Sequence, residues 1–124
     1  MGEESAKVKR ILIWEWDSAV RELNYTWLMG EGYKCTKPTG LSEALALIEE
    51  NNYDLVISCW RGHGGNQVIA KAKNCDIPVL CYSGESKVDI PIKDIDYIAK
   101  PCGRLGFIEA VRKMLDSIPD EGVV

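Results

Sequence analysis

The sequence holds a single histidine, His63, and none of its five cysteines belongs to a Cys-x-x-Cys pair. An odd thiol count without that spacing argues against a zinc site or a disulfide framework, and for a reducing cytoplasm. His63 has no second His or Cys at ligand spacing and reads as a solvated loop residue. A basic run is also missing. Lys and Arg number 15 against 19 Asp and Glu, a net charge of −4, which is a poor match for nucleic-acid phosphates. Long apolar runs are absent too: Ile11-Leu12-Ile13-Trp14 is far too short to span a bilayer. The acidic stretch Met1–Ala6 has no h-region, and Ala6 stands where myristoylation needs Ser or Thr. The expectation is a cytoplasmic chain that binds neither nucleic acid nor membrane. What is present is globular: 124 residues, 46% hydrophobic and 27% charged. One domain is expected over 1–124, with its core at about 7–117 and both ends frayed.

Short apolar runs alternate with helical periodicity. Lys9–Trp16 opens with a continuous apolar run, as a strand covered on both faces does. Asp17 or Ser18 caps a helix with Val20, Leu23, Trp27 and Leu28 on its apolar face, ended by Gly30 and Gly32. Tyr33–Thr36 is a second strand. Ser42 is placed to cap a helix carrying Leu41, Ala44, Leu45 and Ile48, and Asn51-Asn52 closes it. Leu55–Ser58 is a third strand, followed by the loop Arg61-Gly62-His63-Gly64-Gly65 and a helix with Val68, Ile69 and Ala72. Pro78–Tyr82 and Tyr97–Ala99 are the fourth and fifth strands, separated by the poorly patterned segment Ser83–Asp94. A last helix starts at Gly103, with Leu105, Ile108, Val111 and Leu115 inward, and Pro119 stops it. Such alternation implies βαβ units and a parallel sheet. Functional groups then gather at the carboxyl ends of the strands, which here supply Glu15, Trp16, Asp17, Cys59, Ser83 and Lys100-Pro101.

Four stretches, in order, resemble the receiver domain of response regulators: Arg10–Asp17 with Ala19–Leu23, Tyr53–Cys59, Ile77–Leu80 ending at Ser83-Gly84, and Tyr97–Pro101. The resemblance runs from about Lys7 to Ser117, and Lys100-Pro101 is its most specific element. It implies a CheY-like, flavodoxin-like (βα)₅ domain with five parallel strands in the order 2-1-3-4-5. In that family two acids ending the first strand help bind Mg²⁺, and an aspartate ending the third accepts a phosphoryl group. A Ser or Thr and a Lys contact the phosphate, and an aromatic in the fifth strand signals the state. Carried over, Glu15 matches the first acid, Ser83 the hydroxyl, Lys100 the lysine and Tyr97 the switch aromatic.

Two positions depart from the pattern. Trp16 stands at the second acid and Cys59 at the phosphoacceptor, while Asp17 is an acid displaced into the turn. Indole and thiol remove most of the oxygen array that Mg²⁺ demands, and Trp16 is expected to fill the vacated cavity. The expectation is a pseudo-receiver that binds no Mg²⁺, uses no cofactor, is not an enzyme, and acts by binding another protein or domain in a signalling pathway. Relative to the family, Cys59–Ser83 is shorter by about six residues, over a turn and a half of helix, and Ser83–Lys100 by about five. Shortened third and fourth helices follow. The fourth helix belongs to the family's usual dimer face, so a homodimer remains possible but its usual mode is not assumed.

Other readings stay open beside this one. Asp17 or Glu15 is an atypical phosphate acceptor, or Cys59 beside Lys100 is the activated thiol of a redox sensor, against an inert buried cysteine. Cys102 is near enough in sequence to Lys100 to raise a bridge with Cys59. The Arg61–Asn66 loop is either an anion cradle or a tight glycine turn. Trp14, Trp16 and Trp60 either stack around a planar ligand or serve packing.

Overall fold

A computed structural model of the chain describes residues 8–50, 52–60, 64–83, 96–99 and 103–116. The order of elements is β1 (Arg10–Trp14), α1 (Ser18–Gly30), β2 (Lys34–Thr36), α2 (Leu41–Glu49), β3 (Leu55–Ser58), α3 (Gly65–Asn74), β4 (Val79–Ser83), β5 (Asp96–Ala99) and α4 (Gly103–Asp116). All strand pairs are parallel and the order across the sheet is β2-β1-β3-β4-β5, the topology expected. The segment expected to hold a shortened helix between the fourth and fifth strands lies outside the described residues.

Side chains alternate across the sheet and divide the core in two. Leu12, Trp14, Val56, Val79 and Cys81 meet α2 and α3 through Ala44, Ile48, Val68, Ile69 and Ala72. Ile11, Ile13, Leu55, Ile57, Leu80 and Tyr82 meet α1 and α4 through Leu28, Phe107, Val111 and Leu115. Every residue of β3 is buried, because helices cover both faces. At the amino end of β1, Asp54 locks the register: its Oδ2 accepts from Arg10 N at 2.8 Å, and its own N donates to Arg10 O at 2.7 Å.

Three sequence expectations about helices need correction. Ser42 does not cap α2. The N-cap is Gly40, with no side-chain hydrogen bond. Leu23 is not inward on α1 but 48% exposed, and Asn24 takes the buried position beside Leu28. Leu105 is 73% exposed, and Phe107 instead joins Ile108, Val111 and Leu115 inside. The two leucine errors are ones of helical phase, since each residue along a helix turns the side chain by about 100°; the cap error is one of helix start, because α2 already begins at Leu41. Asp17 is the cap of α1, as expected, and Gly32, at φ +93°, turns the chain out of it.

Candidate functional site at the carboxyl ends of the strands

From β1 the chain crosses outward to β2, then back over β1 to β3. The winding reverses there, so a crevice opens at the carboxyl ends of β1 and β3. The last register pair is Trp14 with Ser58, and Cys59 N donates to Trp14 O at 3.2 Å. Glu15 and Cys59 therefore leave the sheet side by side. On the other flank Ser58 pairs with Cys81, Cys81 with Tyr97, and Ser83 with Ala99. Ser83 thus closes β4 beside the end of β5. Its side chain, and the whole of Lys100 and Cys102, lie outside the described residues.

Glu15 is 3% exposed, an unusual depth for a carboxylate. Its Oε2 accepts from Asp17 N at 3.2 Å, and its carbonyl accepts from Arg21 Nη1 at 3.0 Å. Arg21, one helical turn into α1, thus ties the helix to the end of β1. Asp17 Oδ1 accepts from Ala19 N at 3.0 Å and Val20 N at 3.2 Å, satisfying two of the amides that open α1.

Trp16 overturns one expectation. It fills no cavity: it is 55% exposed, between a buried Glu15 and a half-buried Asp17. The backbone turns at this point from strand to helix cap, and the side chain between two anchored neighbours points outward. Trp14 is 5% exposed and lies in the layer under α2 and α3, against which Trp60 also packs, so these two indoles serve the core.

Cys59 is 5% exposed and sits in that same layer. Its thiol is in no disulfide, and Cys102 lies outside the described residues. The buried Ser58 hydroxyl donates to Cys59 O at 2.8 Å, with Gly65 O at 3.5 Å from the same hydroxyl. A Cβ at Gly65 would stand 2.3 Å from Cys59 O and 2.8 Å from Trp60 O. The glycine lets the first turn of α3 close onto the end of β3. Gly64 caps that helix at φ +85°, with no side-chain hydrogen bond. Gly64-Gly65 is thus the tight glycine turn that the loop suggested, and Arg61–His63 lie outside the described residues. Tyr97 is half-buried against the α2/α3 layer from its place on β5.

Sequence reasoning missed two buried polar features near the site. Asn24 is 1% exposed, and neither atom of its amide finds a hydrogen-bond partner; the Arg21 Nε, one turn earlier, is also buried without one. Asn at an inward i+4 position before Leu28 was the available signal.

The fold that carries this crevice is shared with solved structures. A response regulator receiver protein from Sinorhizobium medicae superimposes with a TM-score of 0.78 at 20% identity, over 90% of this chain and 97% of that one. The receiver domain of the hybrid histidine kinase CckA gives 0.71 at 29% identity, over 86% and 98%. The response regulator TrrA from Thermotoga maritima, solved in complex with Mg(2+)-BeF, gives 0.73 at 27% identity, over 86% and 99%. The chain has the CheY-like receiver fold. No protein-family model and no curated protein matches the sequence. In this receiver-like chain the place that ends β3 belongs to a buried thiol, and the place after Glu15 to an exposed indole. No described helix of it is long and apolar enough to cross a membrane.

Proposed function

We propose that this receiver-like domain works in two-component signalling without accepting phosphate, by binding another protein. The observation that carries the reading is Cys59, buried at the end of β3 where a receiver presents its carboxylate. A thiol cannot form an acyl phosphate. The donors around it are also a poor set for Mg²⁺, which wants oxygens in a near-octahedral array. Glu15 Oε2 already accepts a backbone amide, Asp17 Oδ1 already accepts two, Trp16 supplies no oxygen, and sulfur is a soft ligand. Commitment of Asp17 to the helix cap speaks against its use as a substitute acceptor. Burial of Cys59 speaks against a redox sensor, whose thiol must meet its oxidant.

The test is incubation with acetyl phosphate and Mg²⁺, read on a Phos-tag gel at once. No shifted band is expected, and a shifted band lost in Glu15→Gln or Asp17→Asn overturns the reading. Repair is the complementary arm, with thermal melts taken with and without Mg²⁺ and beryllofluoride. Cys59→Asp with Trp16→Asp should gain a melting shift that neither single variant shows, because three carboxylates are needed together. Trp16→Asp alone should cost below about 1 kcal/mol, since the indole is exposed rather than filling a cavity.

A further inference from the structure

Polar groups inside a folded chain are hydrogen-bonded, to protein or to ordered water, because stranding one in hydrocarbon is strongly destabilising. The inward side of α1 carries two that no group of the chain satisfies. Asn24 is 1% exposed, and its Oδ1 and Nδ2 are both sealed from bulk solvent without a partner in the protein. Arg21 Nε is sealed and open in the same way, while Nη1 of the same guanidinium donates to Glu15 O at 3.0 Å. Glu22 Oε2 lies 4.0 Å from that Nε, which is too long for a hydrogen bond.

The two open groups share one side of one helix. Residues three apart on a helix are neighbours, with Cβ atoms about 5–6 Å apart, and Arg21 and Asn24 have that spacing. Both side chains lean toward the amino end of α1. The layer beneath α1 is otherwise apolar: Val20, Trp27 and Leu28 of the same helix pack there with Ile11 and Ile13 of β1. The sheet therefore offers the amide nothing to bond, and the amide and Arg21 Nε do not bond each other. Two hydrogen bonds of about 2.9 Å laid end to end reach about 6 Å, so one water spans a gap of this kind.

We infer that the inner side of α1 binds an internal water, which accepts from Arg21 Nε and bonds the Asn24 amide. The guest has to donate and accept at once. An anion would satisfy Nε and Nδ2 but leave Oδ1 stranded, and a cation beside a guanidinium is repelled. Because both atoms of the amide are open, either orientation of it presents a donor and an acceptor to the water. The guanidinium is then fixed at two points, Nη1 on Glu15 O and Nε on the water. Asn24 thereby becomes a positioning residue for the turn from β1 to α1, acting through the water on Arg21. An apolar side chain that expels the water also releases its immobilisation entropy, so loss of the site need not lower stability. The inference goes beyond the proposed function and does not depend on the loss of phosphoryl transfer.

Water-selective NOESY and ROESY spectra of the isotope-labelled whole chain test it. In the wild type Arg21 Hε and the Asn24 side-chain amide protons should both show water cross-peaks, with NOE and ROE of opposite sign, the mark of a held rather than a surface water. Asn24→Leu should abolish the Arg21 cross-peak. It should also speed exchange of Arg21 Hε with bulk solvent at least about tenfold, because Nε must then turn outward, while backbone amide exchange along α1 stays unchanged. Leu23→Ala, on the exposed side of the same helix, should alter neither signal. A wild type without these cross-peaks overturns the inference. So does an Arg21 cross-peak that survives Asn24→Leu, or one lost instead in Glu22→Gln, which would put the water on the outer side of the helix. Saturable shifts of the Arg21 and Asn24 side-chain signals on titration with sodium bromide, absent with sodium sulfate, would make the guest a small anion and overturn it as well. Since no phosphodonor or Mg²⁺ is present, none of these outcomes bears on whether the site accepts phosphate.

Discussion

Gly65→Ala is the sharpest probe of how the site is held. The added methyl would stand 2.3 Å from Cys59 O, 2.8 Å from Trp60 O and 2.9 Å from Cys59 C. All three atoms are backbone, so no side chain can swing aside. Either α3 retreats by about an ångström or the end of β3 gives way, and overpacking of that kind costs about 1–3 kcal/mol. A retreat of α3 also unpacks Val68 and Ile69 from the sheet, which places the cost near the top of that range. For a domain of this size a loss of about 2–3 kcal/mol lowers Tm by roughly 8–15 °C. Differential scanning calorimetry measures it, with Gly40→Ala as the control: Gly40 caps α2 at φ −111° and has nothing within 4 Å of its Cβ position. The same variant should expose Cys59, so its iodoacetamide labelling should accelerate over wild type in native buffer. A Gly65→Ala melt within 2 °C of wild type, or Cys59 labelling unchanged, would refute the argument that this contact sets the end of β3.

Asn24→Leu should raise stability by about 1 kcal/mol in urea titration, because the buried amide has no hydrogen-bond partner and an apolar side chain removes its desolvation cost. Asp17→Ala should lower stability by about 1 kcal/mol, and Asp17→Asn should recover most of it, since only the cap is lost in the first. Burial pushes the Cys35 thiol from its ordinary 9.0 up to about 12. The folded state holds that proton more tightly than the unfolded state does. Its contribution is therefore full below pH 9 and is lost as pH rises from 9 to 12, which melts of Cys35→Ala against wild type across that window will read. At neutral pH Cys35 should resist alkylation until the protein unfolds.

Much of the architecture follows from the sequence alone. Leu55–Ser58 is apolar without alternation because helices cover both faces of a central parallel strand, and the structure has those bounds. A first strand within Lys9–Trp16, a cap at Asp17 or Ser18 and the start of α4 at Gly103 are likewise legible from local chemistry; the alternation of elements gives a parallel sheet, and the strand order follows from the resemblance to receivers. The chemical departure of the site is also a sequence fact: no folding event turns Cys59 or Trp16 into a carboxylate. Tertiary structure alone decided where those residues face. Trp16 stands in water because Glu15 is buried and Asp17 is tied to the first amides of α1, and no periodicity governs a single residue between two anchors. Leu23 and Leu105 lie at the margins of apolar arcs, and which margin is covered depends on the neighbouring helix rather than on the helix itself. Trp27 packs against Phe107 with ring centroids 5.8 Å apart, and that contact settles which side of α1 meets α4. Gly65 reads in the sequence as one more flexible loop residue. Only the approach of α3 to the carbonyl of Cys59 makes it indispensable, because a distance between residues of two different elements is a property of the packed sheet and not of either segment.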